Sequence, residues 1–128
     1  MIVLDASALV DVVCDRPSRD AVLDQLAQRL CAPGHQLAEV ASAIARLTHA
    51  GELTPAQAAR GLADAAALAQ EVVALDDQLL ARAFSLRESV RVLDGLYVAL
   101  AESRRCPLLT TDIRLARAQP PCEVILAA

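Results

Sequence analysis

Two short apolar runs near opposite ends of the chain finish alike. Ile2-Val3-Leu4 leads into Asp5, and Leu108-Leu109-Thr110-Thr111 leads into Asp112. Runs this short and apolar read as strands buried on both faces. The second run reads as a strand over residues 107–110, and two more segments read as strands, residues 71–75 and 123–126. Between them lie helical stretches: 7–14, Ser18 to Leu30, 36–49, one opened by Thr54-Pro55, one from Asp76 to Leu86, 94–104 and a short one after Asp112. Ser18, Thr54 and Asp76 suit helix caps, Pro55 suits a first helical position, and Pro33-Gly34 and Gly51 mark stops. Strands alternating with helices imply a parallel sheet covered on both faces. The expected fold is a three-layer α/β/α sandwich with a short, mostly parallel sheet of about four strands, in one domain spanning residues 1–128.

Composition agrees with this. Aromatic residues are only 2% of a chain that is 55% hydrophobic, so Ala, Leu and Val must build the core through closely packed helices. No apolar run is long enough to cross a bilayer. Asp5 interrupts the apolar start and no basic region precedes it, so the N-terminus does not read as a signal peptide. A soluble, cytoplasmic protein is expected. Cys14, Cys31, Cys106 and Cys122 are widely spaced without a C-x-x-C pair, which favours reduced, packed thiols over zinc or disulfides.

The acids carry the chemistry. In an open parallel sheet, ligands sit beyond the carboxyl ends of the strands, where Asp5 and Asp112 would both project. If the two strands are neighbours, two carboxylates ~5 Å apart repel by roughly 3 kcal/mol at an effective dielectric of about 20. That repulsion calls for a cation. The chain has no lysine, and all 12 basic residues are arginine. Oxygen donors with water suit Mg²⁺ or Mn²⁺. Each acid also has a plainer role. Asp5 and Asp112 could simply cap helices. Asp76 and Asp77 read as a cap and a first-turn charge. Asp94 shares its helix stripe with Tyr97, Val98 and Ala101, so it is either a cap or a buried acid held by a partner. Glu39 lies opposite the apolar face of its helix and by itself reads as an exposed first-turn charge.

Taken together, four segments resemble one family. MIVLDASALV is similar to the opening strand and first acid of PIN domains, LAEVASAIARL to their second acidic helix, LDGLYVALAE to the segment carrying the third acid in VapC toxins, and PLLTTDIRLARA to the Thr-x-Asp strand end carrying the fourth. The resemblance spans essentially the whole chain. It implies a catalytic, metal-holding set of Asp5, Glu39, Asp94 and Asp112, with Ser7 and Thr110 as supporting hydroxyls. It thereby promotes Glu39 from a surface charge to a site residue. Ile113, Arg114 and Leu115 follow the fourth acid, where many relatives place a further polar or acidic group, so no fifth acid is assigned.

The resemblance further implies a metal-dependent endoribonuclease toxin that uses Mg²⁺ or Mn²⁺. Such an enzyme cuts structured cellular RNA through activated water, leaving a 5′-phosphate and a 3′-hydroxyl. It implies a VapB-like antitoxin that places a basic side chain in the acid pocket, and a homodimer. Arg114 and Arg46 are the leading candidates for RNA phosphate contacts, with Arg16, Arg104, Arg105 and Arg117 behind them. His35 and His49 fit no acid–base role, and His35 reads as a polar loop residue. A net charge of −4 argues against gripping RNA by bulk attraction. A receiver domain would need a lysine, and a haloacid-dehalogenase-like phosphatase would need a second Asp where Ser7 stands. The alternative that remains is a PIN-like binding module without catalysis.

Overall fold

The computed structural model describes all residues, 1–128. In chain order the elements are β1 (Ile2–Leu4), α1 (Ala6–Val13), α2 (Arg19–Leu23), β2 (Leu30–Pro33), α3 (Gln36–His49), α4 (Pro55–Ala67), β3 (Glu71–Val73), α5 (Asp77–Ser85), α6 (Val92–Arg104), β4 (Leu108–Thr110), α7 (Ile113–Arg117) and β5 (Val124–Leu126). The five strands form one sheet in the order β3-β2-β1-β4-β5. Every pairing is parallel. The sheet is flanked by helices, so the expected α/β class stands.

The strand order places the functional end. From β1 the chain builds outward through β2 to β3, then returns to the other side of β1 for β4 and β5. Direction therefore reverses between β1 and β4, and a crevice opens beyond their carboxyl ends. Val3 pairs with Leu108 and Leu4 with Leu109. This register brings Asp5 level with the end of β4, and the Asp5 N–H donates to the Leu109 carbonyl at 3.0 Å.

The core follows from the central strands. Ile2, Val3, Leu4, Leu108 and Leu109 are completely buried, within a cluster of 27 buried apolar residues. Helix α6 lies against β1, β2 and β4 and has Leu96, Tyr97, Val98, Leu100 and Ala101 almost wholly enclosed. All four cysteines are free, and burial pushes the Cys31 thiol up to about 11.

One segment departs from the sequence reading. The helix expected from Ser18 to Leu30 ends at Leu23, and Leu30–Pro33 forms β2, one strand more than the four expected. Leu and Ala favour helices, but Leu30-Cys31-Ala32-Pro33 sits beside β1 with every residue buried. Burial between two sheet neighbours overrides local propensity there. Pro33 closes the strand, and Gly34 leads to α3. Other ends move by one or two residues: α6 starts at Val92 and β3 stops at Val73.

The expected caps mostly hold. Thr54 and Gln57 form a capping box. The Leu79 N–H donates to Asp76 Oδ1 at 2.8 Å, so Asp76 serves α5 as a cap. Gly51 takes a positive φ of 77° just past α3, a conformation that favours glycine. No helix is long and apolar enough to cross a membrane.

Candidate active site

Asp5 occupies the N-cap position of α1, yet its side chain makes no capping bond. Its Oδ2 instead accepts hydrogen bonds from the Thr110 hydroxyl at 2.6 Å and the Ser7 hydroxyl at 2.7 Å. Each hydroxyl has one proton and spends it on Asp5. Each then accepts from the backbone: Ser7 Oγ from the Thr111 N–H at 3.1 Å, and Thr110 Oγ1 from the Asp112 N–H at 3.0 Å. The network ties the ends of β1 and β4 together and fixes the carboxylate. Asp5 is 5% exposed. Burial pushes its pKa up to about 6; the two hydroxyls pull it down, and the charges of Asp94 and Glu39 push it up again.

The other acids arrive from separate elements. Glu39 is half-buried in the first turn of α3. The Tyr97 hydroxyl donates to its Oε1 at 2.7 Å, and His35 Nε2 lies 3.3 Å from the same atom. Burial raises the Glu39 pKa, but these two partners outweigh it and hold the group below its ordinary value. Asp94 lies in the first turn of α6 and is not its cap residue. Burial raises its pKa, opposed by Arg91, whose Nε stands 3.2 Å from Oδ2. Asp112 does cap: its Oδ1 accepts from the Arg114 N–H at 2.9 Å, at the start of α7. At Asp112 the capping role coexists with a place in the lining of the cleft.

Asp5, Ser7, Glu39, Arg46, Asp94, Asp112 and Arg114 line one cleft of about 810 Å³, with Thr110 fully buried behind it. Arg46 donates to Ser42 on its own helix, and Arg16 pairs with Glu52 at the rim. Arg104 lies elsewhere. It forms a two-pronged pair with Glu71, ten residues along α6 from Asp94 and so ~15 Å away. Arg105 follows it in a left-handed turn at the same far end.

Three residues of this cleft, and Tyr97 buried behind it, carry no role that the sequence alone assigns. His35 is no simple loop residue: its Nε2 faces the Leu93 carbonyl at 2.8 Å as well as Glu39, while Nδ1 is buried without a partner. Burial lowers the His35 pKa, but the bonds to Glu39 and Leu93 and the nearby acids carry it upward. Tyr97 was placed only on a packing stripe, yet its hydroxyl clamps Glu39. Asp11 lines the cleft one helical turn beyond Ser7, a spacing the sequence did display. Arg91 reaches Asp94 from the position before α6.

The donor set fits a hard divalent cation. Five carboxylates, those of Asp5, Asp11, Glu39, Asp94 and Asp112, line one cleft, with the Ser7 and Thr110 hydroxyls bonded to Asp5, and no sulfur enters. Asp5, the most buried acid, is made costly to ionise chiefly by its burial, with the charges of Asp94 and Glu39 adding to it. As placed, the acids are not drawn onto a single point. Each outer carboxylate is held by its own partner: Asp94 by Arg91, Glu39 by Tyr97 and His35, Asp112 by the α7 backbone.

Residues 2–119 match the PIN domain family. The chain is 44% identical over 128 residues to a protein of Mycobacterium tuberculosis named Ribonuclease VapC3, covering 97% of this chain and 91% of that one. It is 35% identical to Ribonuclease VapC1 of the same organism, over 97% of this chain and 96% of that one. Among solved structures, PAE2754 from Pyrobaculum aerophilum superposes with a TM-score of 0.71 at 22% identity, covering 96% of this chain and 81% of that one. VapBC2 from Rickettsia felis, bound to a DNA fragment from its promoter, gives 0.71 at 16% identity with full coverage of both chains. Those two likenesses concern the fold, and the two mycobacterial relatives concern the sequence itself. By the family match over residues 2–119 and the mycobacterial relatives, the chain belongs to the PIN-domain family, among its VapC-like proteins.

Proposed function

We propose that this chain is an endoribonuclease toxin dependent on Mg²⁺ or Mn²⁺. The observation that carries the reading is the meeting of Asp5, Glu39, Asp94 and Asp112 beyond the β1–β4 switch point. The names of the mycobacterial relatives supply the reaction class. Asp5, Asp94 and Asp112, with Glu39, would hold the ion. When bound, Mg²⁺ or Mn²⁺ supplies a Lewis acid at the scissile phosphate and acidifies a water that can attack it.

The chain's own groups do the rest. Ser7 and Thr110 hold Asp5 in one orientation, so little reorganisation is needed at the reacting phosphate. Tyr97 and His35 keep Glu39 ionised and aimed. Arg46 and Arg114, both in the cleft lining, contact backbone phosphates. The cleft is open and the chain is acidic, so single-stranded loops of structured RNA fit better than smooth duplex. The products are a 5′-phosphate and a 3′-hydroxyl.

A VapB-like antitoxin inhibits by seating a basic side chain among the acids, where it relieves their repulsion and competes with the ion. The partner's name comes from structural neighbours such as VapBC2. Exposed Leu80, Phe84 and Val72 leave apolar surface for subunit contacts, consistent with a homodimer. The second reading, a binding module without catalysis, draws on the ungathered placement of the acids.

One assay separates the two. Purified protein should cut hairpin RNA with Mg²⁺ or Mn²⁺ and not in excess chelator. Asp94→Asn should reduce the rate by about a hundredfold. Cleavage that persists in chelator, or at an unchanged rate in Asp94→Asn, rejects the nuclease proposal.

A further inference from the structure

Arg91 stands at the N-cap of α6, a position that favours Ser, Thr, Asp or Asn. A cation there opposes the helix dipole. The i,i+3 pair with Asp94 gives the helix only a small gain to set against this, so helix stability is a weak reason for an arginine at this place. Its surroundings give a stronger one. The guanidinium Nε lies 3.2 Å from Asp94 Oδ2, and the charges of Asp112 and Glu39 also act on it. Asp94 is 15% exposed and Arg91 is 71% exposed, so the pair joins a fixed acid to a free arm. A single contact through an exposed arginine is weak and exchanges readily.

A second feature lies beside it. Arg91 and Arg114 flank a small pocket of about 140 Å³ that is shared with Asp94 and Asp112 and lined by Ser89 and Leu115. The Arg114 guanidinium stands 3.8 Å from Asp112. Two forked cations thus line one small pocket together with two of the cleft acids. Planar guanidinium groups match phosphate oxygens, and a pair of them suits one backbone phosphate beside the cut site.

We infer that Arg91 alternates between two partners, neutralising Asp94 when no divalent ion is bound and gripping an RNA backbone phosphate together with Arg114 when Asp94 is taken. This rests on the nuclease reading. It gives Arg91 two effects of opposite sign. Without RNA, Arg91 competes with the ion for Asp94. With RNA, it adds to substrate binding. A residue that merely holds the fold together would weaken both.

The test measures each effect separately on the full chain. Mn²⁺ is titrated calorimetrically into RNA-free protein, and KM and kcat are measured on hairpin RNA at saturating Mn²⁺. Arg91→Ala should bind Mn²⁺ roughly threefold to tenfold more tightly, because a competing positive charge is gone. The same variant should raise KM about tenfold with kcat changed far less, the mark of lost ground-state binding. Arg91→Lys keeps the charge and loses the fork, so its Mn²⁺ affinity should stay near wild type while KM still rises. Arg87→Ala is the control: Arg87 packs over the Phe84 ring at 4.3 Å, outside the cleft, and should change neither quantity. Unchanged or weaker Mn²⁺ binding by Arg91→Ala, or an unchanged KM, overturns the inference while leaving the nuclease reading intact. A wild-type protein that takes up no Mn²⁺ overturns both.

Discussion

Asp5→Asn should abolish RNA cleavage and, without metal, make the fold more stable. Both effects come from the same buried charge. Loss of an outer partner to a metal ligand already costs 10- to 100-fold in typical sites, so loss of a ligand oxygen should cost about a hundredfold or more. The stability effect follows from burial. Asp5 holds its proton to about pH 6 in the fold, against an ordinary 3.8. Ionising it in the fold is therefore harder than in the unfolded chain, by on the order of 3 kcal/mol.

The sign is that of a raised acid. Between pH 3.8 and about 6 the folded protein binds more protons than the unfolded chain, and stability falls as pH rises. Above that window the full cost stands. Asparagine keeps an oxygen for the Ser7 and Thr110 hydroxyls and carries no charge. In chelator at pH 7.5, thermal melting of Asp5→Asn should exceed wild type by several degrees, and at pH 4 the gap should close. Mn²⁺ should raise the melting point of wild type but not of the variant. A variant that melts below wild type at pH 7.5 in chelator would mean that the Asp5 charge is not under strain.

Gly95→Val should cost about 3 kcal/mol, or a melting point lowered by roughly 10 °C. Glycine inside a helix is a poor choice by about 1 kcal/mol relative to alanine. Here α6 approaches α5 so closely that a Cβ on Gly95 would stand 3.2 Å from the Cα, Cβ and carbonyl oxygen of Ala83. Two of those atoms are backbone and cannot turn aside. Gly95→Ala is finely balanced, since the helix gain offsets a contact a few tenths of an ångström too close. Valine adds two further carbons with nowhere to go. The displaced helix is the one that carries Asp94 and Tyr97, so cleavage should fall with stability. Equal melting points for wild type and Gly95→Val, read by circular dichroism, would mean that α5 and α6 are packed less tightly than described.

Much of this was legible in the residues, for definable reasons. The central strands could be read because Ile2-Val3-Leu4 and Leu108-Leu109 are apolar without interruption, and burial on both faces imposes that pattern. Asp5 and Asp112 could be placed because the carboxyl end of a parallel strand has one destination. Strand β2 was hidden because Leu30, Cys31 and Ala32 carry helix-forming or neutral propensities, and only their neighbours in space make them a strand. Residues alone left Glu39 a surface charge. Its burial comes from Tyr97, 58 positions away, and no local pattern announces that meeting. Arg91 was passed over for a similar reason. An arginine three residues before an acid is an ordinary helix pair until the acid proves to line a cleft.

The central claim is that these carboxylates hold a divalent cation beyond the β1 and β4 ends. Anomalous scattering from crystals grown with Mn²⁺ tests it most directly. The account predicts a manganese peak bonded to Asp5, with Asp94 or Asp112 drawn in and Arg91 turned away from Asp94. A map whose manganese lies only on outlying surface acids, with Asp5 untouched, would contradict it.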